Sequence, residues 1–242
     1  MDCSYGIRDE WGYNDEVQFY ANRGFAVLQI DYRGSGGYGG AFEAAGYKKW
    51  GLEMQDDLTD GVKWAIAQGI ADPARVVISG ASYGGYATMA GLTFTPELYC
   101  AGINYVGVTN LTTQWGKYHG TKSDLGVVLE WFADLDKSED RKRAHDTSPV
   151  NFADRIRVPL LMAYGKNDPR VAIDQGYDME AALKKAGKPY ELIIEGEEGH
   201  GFRMEEKRVA FYTKVDEFLK KNVPDSSGAK IGPTRTIDSP AK

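Results

Sequence analysis

The chain has 242 residues, of which 42% are hydrophobic and 26% are charged, a composition typical of one globular domain with a sizeable core. Its net charge of −6 and the lack of a basic stripe argue against nucleic-acid binding, and no apolar run is long enough to span a membrane. The two cysteines, Cys3 and Cys100, do not form a disulfide framework.

The N-terminal part of the chain predicts one helix followed by one strand. Asn14 followed by Asp15 and Glu16 is typical of a helix start, and this helix is expected to end near Asn22. Residues 25–30 are nearly all apolar, as expected for a strand of a parallel sheet that is covered on both faces.

A glycine-rich loop comes next. Gly34, Gly36 and Gly39 match the Gly-x-Gly-x-x-Gly spacing of a dinucleotide-binding loop. That motif requires a helix at the loop, whereas Gly39 and Gly40 are expected to delay any helix, and no second strand ends in an acidic residue at the required distance. We interpret the segment as a flexible loop and predict no cofactor.

Residues 52–68 predict an amphipathic helix. Asp56, Asp57 and Asp60 lie on or near the face opposite its apolar residues. Clustered acids are compatible with a metal ion, but a solvated helix face explains them more simply, so no metal site is predicted.

The most informative stretch joins a short strand at residues 76–79 to a helix that ends near Phe94. It reads Gly80-Ala81-Ser82-Tyr83-Gly84, the Gly-x-Ser-x-Gly pattern of a serine on a sharp strand-to-helix turn. The turn needs small residues two positions before and after the serine, and it leaves the hydroxyl clear of the sheet. The helix N-terminus directs its N–H groups at the same point. A serine that only caps the helix is the structural alternative.

Residues 101–106 predict another strand, whereas residues 107–157 lack one and hold an expected apolar helix around residues 125–135. An insertion after the C-terminal end of a strand commonly covers the ligand crevice of an α/β sheet, so we interpret it as a lid or substrate-contact region. A plain surface excursion is the alternative. Three residues of this insertion stand out by type: Trp115, Tyr118 and His119.

The remaining part predicts strands at residues 158–165 and 190–194, each followed by a polar residue on a loop. Asp168 follows the first strand, and His200 lies between two glycines after the second. Helices are expected at residues 173–186 and 205–221. We therefore predict one domain over residues 1–222 and a disordered C-terminal tail over residues 223–242, which are rich in Ser, Gly, Pro and Lys.

Ser82, Asp168 and His200 thus follow the carboxyl ends of three strands, at the edge where α/β sheets bind ligands. Their chain order is that of the α/β-hydrolase triad. His200 is predicted to take the proton of Ser82 and to return it to the leaving group, while Asp168 holds the imidazole tautomer. His119 and His145 are interpreted as structural. The sequence therefore predicts a serine hydrolase.

Four stretches carry a resemblance to a known family: Asp31-Tyr32-Arg33-Gly34-Ser35-x-Gly37-Tyr38-Gly39, Gly80-Ala81-Ser82-Tyr83-Gly84-Gly85-Tyr86, Gly165-x-x-Asp168-x-Arg170-Val171 and Gly199-His200-Gly201-Phe202. Together they resemble the catalytic domain of the prolyl oligopeptidase family of serine peptidases, nearest to its acylaminoacyl-peptidase and dipeptidyl-peptidase branches. The resemblance covers about residues 5–221. It implies an α/β-hydrolase fold, with a mostly parallel sheet flanked by helices, and it identifies the glycine-rich loop as a family feature.

The resemblance also implies a reaction. The family cleaves short peptides after the first one or two residues, or hydrolyses related small amides and esters. The backbone N–H of Tyr83, the residue after the nucleophile, is the expected oxyanion donor.

The chain departs from the family pattern in two ways. Ala172 stands where the family has Pro. The family also has a β-propeller, several strands and a His-Gly-Gly-Pro-like loop before the part that matches Tyr5-Gly6, and we expect this chain to be N-terminally truncated and to lack them. The lost strand belongs between residues 25–30 and 76–79, so the sheet is expected to close up, to accept another chain or to lose stability.

The lost loop matters for activity because it carries the second oxyanion donor. One such donor is worth roughly 10²–10³ in rate. Unless Tyr5-Gly6 or another group replaces it, we expect weak hydrolysis.

Three functions stay open: a serine peptidase acting on short peptides or aminoacyl amides, a carboxylesterase acting on small esters, and a catalytically weak fragment or interaction module. No nucleic acid or membrane is expected as a partner, and a homo-oligomer is compatible with the sequence. The absence of a signal peptide at Met1 favours the cytoplasm, although the expected truncation leaves the compartment open. Tyr83, Trp115 and Tyr118 either line a substrate pocket or pack in the core and lid.

Overall fold

The structure is a computed structural model, and it describes residues 6–116, 126 and 128–224. Its helices and strands are, in chain order, α1 (Asp15–Asn22), α2 (Gly40–Ala44), α3 (Glu53–Ala67), β1 (Val77–Ala81), α4 (Tyr83–Phe94), β2 (Ala101–Tyr105), α5 (Leu111–Gly116), α6 (Ser138–Asp146), β3 (Leu160–Gly165), α7 (Asp174–Ala186), β4 (Glu191–Glu195) and α8 (Glu205–Asn222). Short 3-10 segments occupy Pro96–Leu98 and Pro149–Arg155, and a π-helical turn occupies Val128–Phe132.

The strands form one parallel sheet in the order β1-β2-β3-β4. At their carboxyl ends Ala81 pairs with Tyr105, Tyr105 with Ala163, and Gly165 with Glu195. Because parallel strands all point the same way, the loops after β1, β3 and β4 leave the sheet at a common edge. The predicted α/β-hydrolase architecture, a parallel sheet flanked by helices, is confirmed.

Strand β3 shows why the sheet is covered on both faces. All six of its residues are buried, and alternate ones enter different cores. Met162 and Tyr164 pack on the side of α4 and α7, whereas Leu161 and Ala163 pack on the side of α8. Such a continuous apolar run is what a central parallel strand needs.

Helix α4 is buried on nearly all sides. Ten of its twelve residues are buried, so it lies wedged between the sheet and its neighbours rather than at the surface. This burial holds the start of the helix, and therefore the turn that precedes it, in one position.

One predicted strand is wrong. Residues 25–30 carry no strand assignment, and β1 is the edge of the sheet within the described residues. The segment instead packs against α3, where a Cβ atom on Gly61 would lie 2.3 Å from Cδ1 of Ile30. Phe25, Val27 and Ile30 are only half-buried, and Leu28 is exposed. The segment does not pair with β1, so the sheet does not close up, which was one of the three expected outcomes.

The glycine-rich loop also differs from its prediction. Helix α2 begins directly at Gly40, so the glycines do not delay a helix, although it has only five residues. The loop is tied down, because the N–H of Gly36 donates to Ile7 O at 3.2 Å and a Cβ on Gly36 would lie 2.0 Å from Gly6 O. Glycine at position 36 is thus required by a close backbone approach.

The acidic helix face at residues 56–60 is only partly solvated. Asp57 accepts hydrogen bonds from Arg33, with Nη2 at 2.6 Å and Nε at 2.7 Å. No group of three His, Cys, Asp or Glu residues that could hold a metal ion occurs in the described part of the chain. Within the same part, no helix is long and apolar enough to cross a membrane.

The insertion after β2 is anchored beside α4. Of its predicted helix, the π-helical turn Val128–Phe132 is described, and the ring of Trp131 stacks on Tyr47 at 5.1 Å. The ring of Phe132 packs edge-to-face on that of Trp50, with the ring centroids 5.4 Å apart. Tyr118, His119 and residues 225–242 of the predicted tail lie outside the described residues, as does the side chain of Trp115. The lid function therefore stays a prediction.

A buried carboxylate fastens this insertion to the body of the protein. Asp140, which is 6% exposed, accepts hydrogen bonds from Lys48 Nζ at 2.9 Å, Arg143 Nη1 at 2.8 Å and the N–H of Asp134 at 2.7 Å. Burial by itself raises the pKa of Asp140, but these three hydrogen bonds outweigh it and lower the pKa to about 2.

We predict that Asp140→Asn lowers the free energy of unfolding by about 2 kcal/mol at pH 7. Because the folded-state pKa is depressed, this stabilisation is complete above pH 4 and disappears as the pH falls towards 2. Urea unfolding at pH 7 and at pH 3 measures both effects. Asp146→Asn is the control, since Asp146 is exposed and pairs only within its own helix. Equal stability of Asp140→Asn and wild type at pH 7 would contradict the prediction.

Candidate active site

The turn at Ser82 is strained and depends on glycine. Ser82 has φ 55° and ψ −115°, a left-handed backbone that residues with side chains rarely adopt. A Cβ on Gly80 would lie 2.5 Å from the backbone carbon of Gly84, so the strand and the helix approach each other more closely than any side chain permits. The N–H of Ser82 donates to Tyr105 O at 3.0 Å, which holds the turn against β2.

Ser82 occupies the N-cap position of α4, but its side chain makes no capping hydrogen bond. Its Oγ lies instead 2.9 Å from Nε2 of His200. The structural alternative, a serine that only caps its helix, does not describe this side chain.

His200 is also in contact with the third predicted residue. Its Nδ1 lies 2.7 Å from Oδ2 of Asp168, and the side chains of the two residues are 10% and 0% exposed. A carboxylate can only accept, so Nδ1 carries the proton and Nε2 is left to accept the hydrogen of the Ser82 hydroxyl. The structure therefore brings Ser82, His200 and Asp168 together in one connected line.

Asp168 is held from the opposite side by the backbone. Its Oδ1 accepts the N–H groups of Arg170 at 2.8 Å and Val171 at 2.9 Å. Both carboxylate oxygens are thus occupied, one by two amides and the other by the imidazole. This arrangement orients the carboxylate before any substrate binds.

The glycines around His200 shape its turn. The N–H of Gly201 donates to Gly199 O at 2.9 Å, and Gly201 has φ 99°. His200 therefore lies at the tip of a tight turn after β4. A side chain at position 201 would make this turn strained.

The backbone and the ring of Tyr83 lie in different surroundings. Its backbone N–H lies in the first residue of α4, directly after the turn at Ser82. Its ring is 2% exposed and packs with Trp50 at 4.5 Å and Tyr32 at 5.0 Å, so it belongs to the core and not to a substrate pocket. Of the groups considered as the second oxyanion donor, Gly6 donates its N–H to Gly34 O at 3.1 Å, and Tyr5 lies outside the described residues.

The other histidine in the described residues has no link to this site. His145 is exposed on α6 and contacts its neighbour Asp146 at 3.2 Å. A cleft of about 650 Å³ between α1 and α8 is also separate, since none of the three aligned residues lines it.

Sequence reasoning missed the strain at Val106. The strand predicted over residues 101–106 ends at Tyr105, and Val106 is buried with φ 46° while its N–H donates to Ala163 O at 2.8 Å. A β-branched residue with positive φ is a genuine outlier, and it lies directly beside the Ser82 turn. Nothing local in the sequence distinguishes Val106 from an ordinary strand residue.

Comparison with known proteins shows similarity to a family of peptidases. A family model described as the prolyl oligopeptidase family matches residues 11–226. The dipeptidyl aminopeptidase BIII of Pseudoxanthomonas mexicana is 37% identical over 219 residues, which is 88% of this chain and 31% of that protein. Dipeptidyl peptidase family member 6 of Caenorhabditis elegans is 35% identical, over 88% of this chain and 29% of that protein.

Solved structures of peptidases show the same similarity. A puromycin-hydrolyzing peptidase of Mycobacterium tuberculosis superimposes with a TM-score of 0.82 and 29% identity, over 90% of this chain and 33% of that one. The acylaminoacyl peptidase of Pyrococcus horikoshii gives a TM-score of 0.70 and 28% identity, over 83% and 33%. The chain thus spans about a third of the length of the relatives it matches.

We predict that Gly80→Ala lowers the free energy of unfolding by about 2 kcal/mol or more, because the added methyl group would collide with backbone atoms of Gly84 that cannot move independently. Urea unfolding measures the loss. Gly12→Ala is the matched control, since its Cβ would meet nothing within 4 Å. A Gly80→Ala protein as stable as Gly12→Ala would show that the turn tolerates a side chain at position 80.

Proposed function

The chain belongs to the prolyl oligopeptidase family, and from this premise we propose that it is a serine peptidase that cleaves short peptides or aminoacyl amides near their N-terminus. One observation carries the proposal: Ser82 Oγ, His200 and Asp168 are connected by contacts of 2.9 Å and 2.7 Å. The relatives named dipeptidyl aminopeptidase and acylamino-acid-releasing enzyme support a scissile bond close to the N-terminus.

In the first half of the proposed reaction, Ser82 is the nucleophile. As Oγ attacks the carbonyl carbon of the scissile amide, Nε2 of His200 takes its proton, since a neutral hydroxyl is a poor nucleophile. The tetrahedral intermediate places its negative oxygen near the N–H of Tyr83, at the positive end of α4. His200 then gives the proton to the leaving amine, and the acyl group remains on Ser82.

In the second half, water replaces the amine. The oxygen of a water molecule attacks the acyl carbon while Nε2 of His200 takes one of the water protons. His200 returns this proton to Oγ of Ser82 when the acid product leaves. The chain ends the cycle with Ser82 and His200 as they began. No cofactor is needed for this sequence of proton transfers.

Asp168 acts through the imidazole. It holds the tautomer in which Nδ1 carries the proton, and it stabilises the imidazolium that forms when Nε2 becomes protonated. The two backbone N–H groups on its other oxygen keep the carboxylate in this orientation.

The deciding experiment labels the protein with a fluorophosphonate, a probe that reacts covalently with activated serines. We expect one label on wild type and none on Ser82→Ala, together with loss of hydrolysis of an aminoacyl-p-nitroanilide. Ser79→Ala is the control, because Ser79 is an exposed serine on β1 whose Oγ contacts Tyr20 and not His200. Labelling that survives in Ser82→Ala would refute the assignment of the nucleophile.

The same protein distinguishes a peptidase from an esterase. A peptidase is expected to release dipeptides or amino acids from a short peptide, detected by mass spectrometry, as well as to hydrolyse the nitroanilide. Hydrolysis of a short-chain p-nitrophenyl ester without any cleavage of peptides or anilides would favour the carboxylesterase instead.

We predict that Asp168→Asn lowers kcat by about 10³- to 10⁴-fold with little change in KM, because an amide stabilises the wrong imidazole tautomer. Steady-state kinetics on the nitroanilide measures the change. Asp178→Asn, on the exposed side of α7, is the control for removing a nearby carboxylate. A decrease of less than tenfold would contradict the role of Asp168.

A further inference from the structure

His200 is on a loop, yet its ring must meet two partners on two other loops at once. Nδ1 and Nε2 lie 2.7 Å and 2.9 Å from their partners, and displacement of such a group by about 1 Å can cost about 10²-fold in rate. A loop with glycine on both sides of the histidine has little stiffness of its own. Some other contacts must therefore keep the loop in place.

The first of these contacts comes from Glu198, two residues before the histidine. Glu198 is 3% exposed, and its two carboxylate oxygens accept different backbone N–H groups at 2.9 Å: Oε2 that of Arg203 and Oε1 that of Met204. The side chain thus bridges the loop across His200 and attaches it to the start of α8.

The backbone of Glu198 makes the connection in the other direction. Its carbonyl accepts the N–H of Asn167 at 2.9 Å, and the side chain of Asn167 donates to Gly196 O at 3.1 Å. Asn167 directly precedes Asp168. Glu198 therefore links the loop of His200 to the loop of its carboxylate partner.

Tyr105 provides a second anchor on the far side of the histidine. Its hydroxyl oxygen accepts the N–H of Phe202, and its ring stacks on Phe211 with the centroids 4.5 Å apart. Its carbonyl accepts the N–H of Ser82 at 3.0 Å. Burial raises the pKa of Tyr105 to about 12, so the hydroxyl stays neutral at physiological pH. One residue is thus bonded to both the Ser82 turn and the His200 loop.

We propose that Glu198 and Tyr105 are positioning residues for His200, a proposal that rests on the proposed function. Both hold the loop by accepting backbone N–H groups of the residues that follow the histidine: Tyr105 that of Phe202, and Glu198 those of Arg203 and Met204. The identity of Glu198 matters, because two N–H groups bound to one buried side chain need two acceptor oxygens. A glutamine offers one acceptor and turns an N–H₂ donor towards the second N–H. Glu198→Gln therefore removes one hydrogen bond and places two N–H donors against each other, while the side-chain volume hardly changes.

The test compares Glu198→Gln with Glu197→Gln, which removes the same charge from the neighbouring exposed residue of the same loop. We expect kcat of Glu198→Gln to fall about 10- to 100-fold with KM nearly unchanged, while Glu197→Gln keeps wild-type kinetics. The rate of fluorophosphonate labelling at Ser82 is expected to fall in parallel. Urea unfolding gives the folded fraction, so that rates refer to folded protein only.

Proton NMR supplies a readout that a merely structural role would not change. In wild type the Nδ1 proton shared between His200 and Asp168 is expected to give a sharp signal far downfield, and in folded Glu198→Gln this signal is expected to broaden or shift. Wild-type kcat and an unchanged signal in folded Glu198→Gln would overturn the role of Glu198.

Tyr105→Phe keeps the ring and removes only the acceptor, so it decides the matter if Glu198→Gln does not fold. A smaller decrease of kcat with the same NMR change is expected, and unaltered kinetics with an unaltered signal would overturn the proposal. Failure of the proposed function is distinguishable from both results, because wild type itself would then remain unlabelled.

Discussion

The close approach of strand β1 to helix α4 is the constraint on which the rest of the site depends. Gly80 and Gly84 come so near to each other that no Cβ fits between them, and Ser82 takes a strained backbone as a result. The strain persists because α4 is buried on nearly every side and cannot tilt away from the sheet. The packing of the surrounding core thus stabilises the strained turn and keeps the Ser82 hydroxyl at the edge of the sheet.

Two buried carboxylates extend this constraint to the neighbouring loops. Asp168 and Glu198 each use both oxygens, and each accepts two backbone N–H groups. A buried charge is tolerated only when such donors compensate for its lost hydration. Because the donors belong to the backbone, they hold the loops themselves and not merely the side chains, and this explains how flexible loop sequences support a fixed alignment of three side chains.

The accuracy of the sequence predictions follows from how local each signal is. The four strands of the sheet and the helices α1, α3, α4, α7 and α8 were predictable because their apolar periodicity and end residues lie within a few positions of each other. Residues 25–30 misled because an apolar run is typical of a covered parallel strand, whereas its pairing depends on a neighbouring strand that the run itself does not show. Asp57 was assigned to a solvated face because its partner, Arg33, lies 24 residues away in the chain.

The sequence by itself determined which residue types were available for the chemistry and at which strand ends they stand: Ser82 between its glycines, Asp168 after β3 and His200 after β4. Only the tertiary structure decided that these residues meet within 2.9 Å, and that Glu198 is a buried link and not one more acid in an acidic loop. Pattern and propensity act over neighbouring residues, whereas these contacts depend on the parallel register of the strands and on backbone hydrogen bonds between loops that are distant in the chain.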